Sequence, residues 1–310
     1  MITTNDISNI EDNYLLLETI GSGTFATVRK CQNISTGEFF AVKSITKARV
    51  PHLDFVRREV EILKEMDHPN IIRLYNVFED TNKIHLVTEL CTGGELYEKV
   101  VKHDHFEEEV VARWCQQILQ AVQYLHSKDI VHRDLKPENF LFANEEEDSP
   151  IKIIDFGLSI LNDTPLGVLR EPVGSPHYVA PEVLLRSYTS KCDIWSIGAV
   201  TYTMLSGLLP FNGKTDKDTL RLVERANLKF HGRKWQKISP AAKDFCRCLL
   251  SKSIIRRPTA DQALTHPWIF EMANASSSED FHKVLDENSY QSFGSSLIRY
   301  NLNIDSTPAA

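Results

Sequence analysis

Apolar and polar positions change their rhythm once along the chain, near residue 91. Before it, apolar and β-branched residues alternate with polar ones over 14–28 and 38–44, the period-two pattern of half-buried strands. Gly21 and Gly23 punctuate the first run as a turn, and runs 71–78 and 83–90 have the same extended character. Between them Pro51 opens a stretch to about Met66 in which Val56, Val60 and Leu63 recur along one helical face. After Gly93-Gly94 the apolar spacing becomes helical. Residues 107–127 predict a long helix with Val111, Trp114, Cys115, Ile118, Val122 and Leu125 on one side. Shorter helices are expected near 183–185, 193–206, 216–226, 240–250 and 260–264. The pattern predicts an α+β chain with two lobes, a small β-rich one with a single helix over 14–90 and a larger, mainly helical one over 91–270. Residues 1–13 read as an N-terminal extension. Residues 271–310, rich in Ser, Asn and Asp, read as a C-terminal tail and a possible regulatory or junction segment.

Composition narrows the function classes. With 42% hydrophobic residues among 310, the chain can bury a substantial core. Lys and Arg number 35 against 42 Asp and Glu, a net charge of −7, which gives no basis for nucleic-acid binding but leaves room for a negative groove that attracts basic peptides. There is no apolar run of about 18 residues to cross a bilayer, no basic start followed by an apolar run, and no glycine after Met1 for myristoylation. The expectation is a cytoplasmic protein without a membrane segment. Cys246 and Cys248 lack a second pair and a nearby histidine in sequence, so reduced thiols are expected rather than zinc. The acidic run 144–149 reads as a solvated loop between strands.

Three groups of residues carry candidate chemistry. In Gly21-Ser22-Gly23-Thr24-Phe25-Ala26-Thr27-Val28, glycines between strands let backbone amides approach a phosphate, although such hairpins also occur as plain turns. One strand later, Lys43 in Ala41-Val42-Lys43 can reach α- and β-phosphates, with Glu59 on the following helix as its ion-pair partner. Then come His132-Arg133-Asp134-Leu135-Lys136-Pro137-Glu138-Asn139, Asp155-Phe156-Gly157 and Ala180-Pro181-Glu182. Phosphoryl transfer needs a carboxylate at the acceptor hydroxyl, oxygen ligands for magnesium and a cation near the moving phosphate. Asp134, Asn139 with Asp155, and Lys136 fill those roles, and hard oxygen donors suit Mg2+.

In this order and spacing the strings resemble the protein kinase signature set over residues 14–270. The resemblance implies the two-lobed protein kinase fold with a small antiparallel sheet, and ATP and Mg2+ as cofactors. It implies that backbone groups of Glu89, Leu90 and Cys91 bind adenine, that Thr88 guards the back pocket, and that Val28, Ala41 and Leu141 sandwich the ring. Leu63, Leu74, His132 and Phe156 would form an apolar spine between the lobes. Asp193 would brace the catalytic loop, and Glu182 with Arg257 would close the large lobe as an ion pair. Lys136, two residues after Asp134, is similar to the serine/threonine pattern, and Ser175 in Gly174-Ser175-Pro176 can bond both Asp134 and Lys136. Glu95 and Glu138 stand where related kinases bind ribose and a substrate arginine, implying a basic residue three positions before the acceptor.

Many kinases carry a phosphorylatable threonine where this chain has Glu171, three residues before Gly174. A fixed carboxylate there can pair with Arg133, so the loop is expected to be ordered without phosphorylation; Thr164 is a lesser candidate for autophosphorylation. The Gly-Gly-Glu-Leu string, Lys-Pro-Glu-Asn-Phe-Leu-Phe and His266-Pro267-Trp268-Ile269 resemble the calcium/calmodulin-dependent group. Asn139-Phe140-Leu141-Phe142 and Glu171 are most similar to calcium-dependent protein kinases, in which a junction helix and four EF-hands follow the kinase. Residues 286–290 lack the glycine and twelfth-position glutamate of a calcium loop, so calcium binding is not expected within this chain. Residues 281–300 lack the basic amphipathic character of a calmodulin target, and an autoinhibitory role is the alternative for them. The expected partners are proteins with Ser or Thr acceptors. The competing reading is a pseudokinase scaffold, but such proteins usually lose the lysine, the base or the metal aspartate, and Lys43, Glu59, Asp134, Asn139 and Asp155 all stand. A P-loop nucleotide-binding protein fails for want of its Gly-x-x-x-x-Gly-Lys-Ser/Thr string.

Overall fold

The computed structural model describes residues 9–102, 106–164 and 167–273. The small lobe is an antiparallel five-stranded sheet of β1 (Tyr14–Ser22), β2 (Ala26–Asn33), β3 (Phe39–Thr46), β4 (Leu74–Glu79) and β5 (Lys83–Glu89), in the order β1-β2-β3-β5-β4. Its single helix, α1 (Leu53–Lys64), buries Val56, Val60 and Leu63, the face the sequence pattern picks out, and with them the charged Glu59. Register then fixes the chemistry: β2 sets Val28 opposite Lys43, and β5 sets Thr88 opposite Ala41. The run expected from residue 71 becomes a strand only at Leu74. Ile71 and Ile72 instead pair with Ile153 of the large lobe, so this stretch joins the lobes rather than extending the sheet.

The large lobe continues with α2 (Leu96–Lys102), α3 (Glu108–Ser127), the short strands β6 (Ile130–Val131), β7 (Phe140–Phe142), β8 (Ile151–Ile153) and β9 (Ile160–Leu161), and then α4 (Pro181–Leu184) and α5 (Lys191–Ser206). Next come α6 (Asp216–Arg225), α7 (Arg233–Lys237), α8 (Pro240–Leu249), α9 (Ala260–Leu264) and α10 (Pro267–Ala273). Every residue of α5 from Cys192 to Ser206 is buried, which makes it the axis of the lobe and explains why its sequence has no polar stripe. Glu108, at the start of α3, accepts hydrogen bonds from Ser239 N (2.6 Å), Ser239 Oγ (2.7 Å) and Trp268 Nε1 (2.9 Å), so one carboxylate ties α8 and α10 to α3. The pattern missed α2, α7, α10 and the paired short strands β6–β9 and β7–β8, all too brief to display a period. The acidic run 144–149 does lie in the connection between β7 and β8. The tail expectations for 274–310, including the calcium-loop and autoinhibition readings, fall outside the described residues.

Candidate active site

The site begins with Lys43 on β3. Its ammonium lies 2.6 Å from Glu59 Oε1 on α1 and 3.3 Å from Asp155 Oδ1 in the large lobe, so one cation joins a strand, a helix and the loop after β8. Burial works against the charged amine, but Asp155 and Glu59 together outweigh it and raise its pKa above the ordinary lysine value. The same ammonium holds the Asp155 carboxyl down at about 2, against burial and with help from the Gly157 N–H at 3.1 Å. Both protein contacts fall on Oδ1; Oδ2 makes no hydrogen bond among the described residues, and the side chain is 45% exposed. An ionised carboxylate with one oxygen left over is the donor that a hard cation takes.

The loop between β6 and β7 supplies the second half. Asp134 Oδ2 accepts from Lys136 Nζ at 2.7 Å, and Oδ1 accepts from Ser175 Oγ at 2.8 Å. Lys136 also reaches Ser175 Oγ at 3.0 Å, closing a triangle of carboxylate, ammonium and hydroxyl. Burial again opposes the Lys136 charge and Asp134 restores it, with a net upward shift. Asn139 Nδ2 donates to the Asp134 carbonyl at 2.8 Å, which leaves its amide oxygen as the donor atom for a metal. The loop is held from below by fully buried Asp193 on α5, which accepts from His132 N (2.9 Å), Arg133 N (2.8 Å) and His126 Nε2 (2.9 Å). Those bonds support Arg133 at φ +70°, a left-handed conformation that costs a non-glycine residue energy. Gly174 belongs to the same fit: at φ +119° a Cβ there would meet the Arg133 carbonyl at 2.9 Å.

Four buried side chains, Leu63, Leu74, His132 and Phe156, lie between the two groups, with the His132 and Phe156 rings edge to face at 5.0 Å. At the link between lobes, the Glu89 N–H and carboxylate are engaged within the protein. Its N–H donates to Arg73 O at 3.0 Å, and its carboxylate takes Arg73 N and Lys152 Nζ, both at 2.8 Å. The Glu89 carbonyl accepts from Thr88 Oγ1 at 3.2 Å, and no backbone bond outside helices and strands among the described residues uses Cys91. Burial, aided by Glu89, pushes the Cys91 thiol up to about 12. Leu141 on β7 bridges to Glu95, which brings the expected adenine floor beside the expected ribose carboxylate.

The pattern of the protein kinase domain matches residues 14–269. The chain belongs to the protein kinase family. Among curated proteins, this kinase domain is 44% identical over 258 residues to calcium-dependent protein kinase 5 of Plasmodium berghei, covering 82% of this chain and 45% of that protein. It is 42% identical over 271 residues to calcium-dependent protein kinase 25 of Arabidopsis thaliana, covering 86% of this chain and 52% of that protein. The chain thus spans about half the length of the curated relatives it matches.

Sequence reasoning passed over several neighbours of the kinase site. Glu98 on α2 sits close enough to Glu95 to act on its charge: burial raises the Glu95 pKa first, then Glu98 and Glu138 add to it. Burial likewise raises Glu138, whose Oε2 is enclosed without a hydrogen-bond partner. Burial, Glu138 and Glu95 in turn raise Tyr97. The signal was faint because these contacts join α2 to the short 3-10 turn Pro137–Asn139, two elements without a readable period. A second miss concerns Cys248. The fold brings His266 beside it and Asp244, although no histidine is near in sequence. His266 Nδ1 accepts Trp268 N–H at 3.2 Å and its Nε2 lies 3.5 Å from Asp244 Oδ2, so both ring nitrogens already have partners. Among the described residues no helix is long and apolar enough to cross a membrane.

Proposed function

We propose that this domain is an active serine/threonine protein kinase that uses ATP and Mg2+ and prefers a basic residue three positions before the acceptor. The observation that carries the reading is the Lys43 ammonium shared between Glu59 and Asp155, because it links the nucleotide side of the cleft to the metal side in one stroke. Asp155 and Asn139 would hold Mg2+, whose charge would neutralise the phosphate oxygens as the terminal bond breaks. Lys43 grips the α- and β-phosphates, and the Gly21–Gly23 turn with Val28, Ala41 and Leu141 encloses the nucleotide, Thr88, Glu89 and Cys91 lining its edge. The acceptor hydroxyl shares the Asp134 carboxylate with Ser175 and gives it its proton. Its oxygen forms the new bond to the γ-phosphorus, the bond to the β-phosphate oxygen breaks, and ADP leaves. Lys136 stays beside the transferring group and offsets its charge.

Glu95 and Glu138 support the substrate preference, since an enclosed carboxylate oxygen without a donor is an acceptor for guanidinium. For regulation, the Arg133–Glu171 contact at 3.0 Å favours a loop ordered without phosphorylation. Six unpaired cysteines fit a reducing, cytosolic setting. The test is transfer of labelled phosphate from ATP to a serine peptide with arginine three residues upstream. Asp134→Asn should lower kcat by about 10²–10⁴-fold, and replacing the peptide arginine by alanine should lower kcat/KM roughly tenfold or more. Wild type no faster than Asp134→Asn would make the protein a scaffold, and indifference to the arginine would sink the pocket assignment.

A further inference from the structure

The net charge of −7 conceals a sharp segregation. Residues 214–257 hold thirteen Lys and Arg against four Asp and Glu, a local net of +9, so the other 266 residues carry −16. Several of these cations stand exposed on α6 and on the segments next to it, whereas Arg257 is buried against Glu182. On α6 the exposed Lys217, Arg221 and Arg225 recur every four residues, on the side opposite Thr219 and Val223, which the helix buries. The same helix carries Asp216, Asp218 and Glu224, with Asp218 3.2 Å from Arg221, so its own charges balance and the excess comes from cations outside it.

At the C-terminal end of that stripe, Lys252 donates to the Glu224 carbonyl at 2.5 Å and draws the loop after α8 against α6. On this loop Ile255 is 93% exposed, more than any other large apolar side chain described, and the exposed Arg256 follows it. Exposed Leu222 adds a second apolar side chain beside the stripe. Arg247 of α8 lies over the Phe230 ring at 4.7 Å, next to exposed Lys229, and carries the basic surface onward.

We propose that this face binds an anionic phospholipid surface. Clustered lysines and arginines draw a protein to acidic headgroups whatever its sequence. A lone aliphatic side chain standing out among cations gains nothing in water, but at a bilayer it reaches the boundary of headgroup and acyl chain while the cations meet phosphates. A nucleic acid would satisfy the cations and leave Ile255 without a partner. The negative remainder of the molecule is repelled by the same membrane, so the attraction selects one orientation. No residue of this face belongs to the candidate active site.

The test is cosedimentation of the full 310-residue chain with vesicles of phosphatidylcholine, alone or with about a third of phosphatidylserine. Binding should need phosphatidylserine and weaken as salt is raised. The triple variant Lys217→Ala, Arg221→Ala, Arg225→Ala should lower the partition coefficient by about a hundredfold, at about fivefold per charge. Ile255→Ser should lower it roughly tenfold. Thermal melting of each variant at the wild-type temperature establishes that the fold is kept. Equal binding to neutral vesicles, wild-type binding by the triple variant, or binding to heparin or nucleic acid without binding to vesicles would each overturn the proposal.

Discussion

Two arginine–glutamate pairs tie down the segment from Asp155 to Glu182, and they are built in opposite ways. At its end, Arg257 is fully buried and meets both oxygens of Glu182, one contact from Nη1 and one from Nη2 at 2.9 Å. Its remaining donors go to the carbonyls of Ser251 and Lys191, and its plane lies over Trp195 at 5.0 Å. In the middle of the segment, the Arg133 guanidinium is just as enclosed, but Glu171 touches it once, at 3.0 Å, and is 52% exposed. Arg133 Nη2 is buried without a partner. The first pair is dry and fully satisfied, so it acts as a fixed joint of the fold. The second is half in water and unfinished, the arrangement of a latch whose strength depends on what negative charge is present. The same residue types give different functions because burial decides whether water competes.

The contrast is broken most severely at the fixed joint. Glu182→Ala leaves a buried guanidinium without its counter-charge, and such a loss costs about 3–5 kcal/mol. Urea unfolding should show the midpoint falling by that equivalent, with the slope unchanged. A loss under about 1 kcal/mol would show that water reaches Arg257 and that the two pairs do not differ in kind.

An intermediate effect is expected one step behind the latch, at Asp193. Its bonds from His132 N and Arg133 N fix the backbone on which Arg133 turns, and Asp193→Asn keeps the shape while placing an amide donor where a donor already points, costing about 1–3 kcal/mol. Burial pushes this carboxyl up, but the His126 bond and the charges and N–H groups around it win and hold its pKa below the ordinary carboxylate value. A group with a depressed folded pKa contributes its stability above the unfolded value, about 4, and loses it as pH falls through the folded one. Wild type should therefore lose stability more steeply than Asp193→Asn below about pH 4. Parallel acid limbs in urea titrations would remove Asp193 from the account.

Legibility in the sequence followed length and charge. Helix α3 and the small-lobe strands were readable because several turns or alternations repeat, and Lys43, Asp134, Asn139 and Asp155 because few chemistries place those groups in that order. The long helix α5 was readable in extent, but not as the central axis, since a helix buried on all sides has no polar face to mark its orientation. The neighbours of Glu138 stayed hidden for another reason. Tyr97 reaches it from a separate helix, and no local spacing encodes a contact between two short elements. The basic face around α6 was diluted in the whole-chain charge, which averages two regions of opposite sign.

The smallest effect on stability, and the one that separates latch from joint, is expected at Glu171. Its carboxylate is half in water, so its loss in Glu171→Ala should change unfolding free energy by less than about 1 kcal/mol. Activity is a different matter. Glu171 is joined to the large lobe twice, through Arg133 and through its own carbonyl, which accepts from Tyr188 OH at 2.7 Å. Tyr188 OH in turn receives Arg133 Nη1 at 3.2 Å, so the backbone bond survives the substitution while the charge contact does not. The loop should then stay folded but dwell less in the arrangement that sets Ser175 against Asp134, lowering phosphorylation of the arginine peptide several-fold with the melting temperature nearly unchanged. Full activity in Glu171→Ala, or a wild type inert until the loop is phosphorylated, would mean that Arg133 awaits some other anion and that the fixed carboxylate holds nothing.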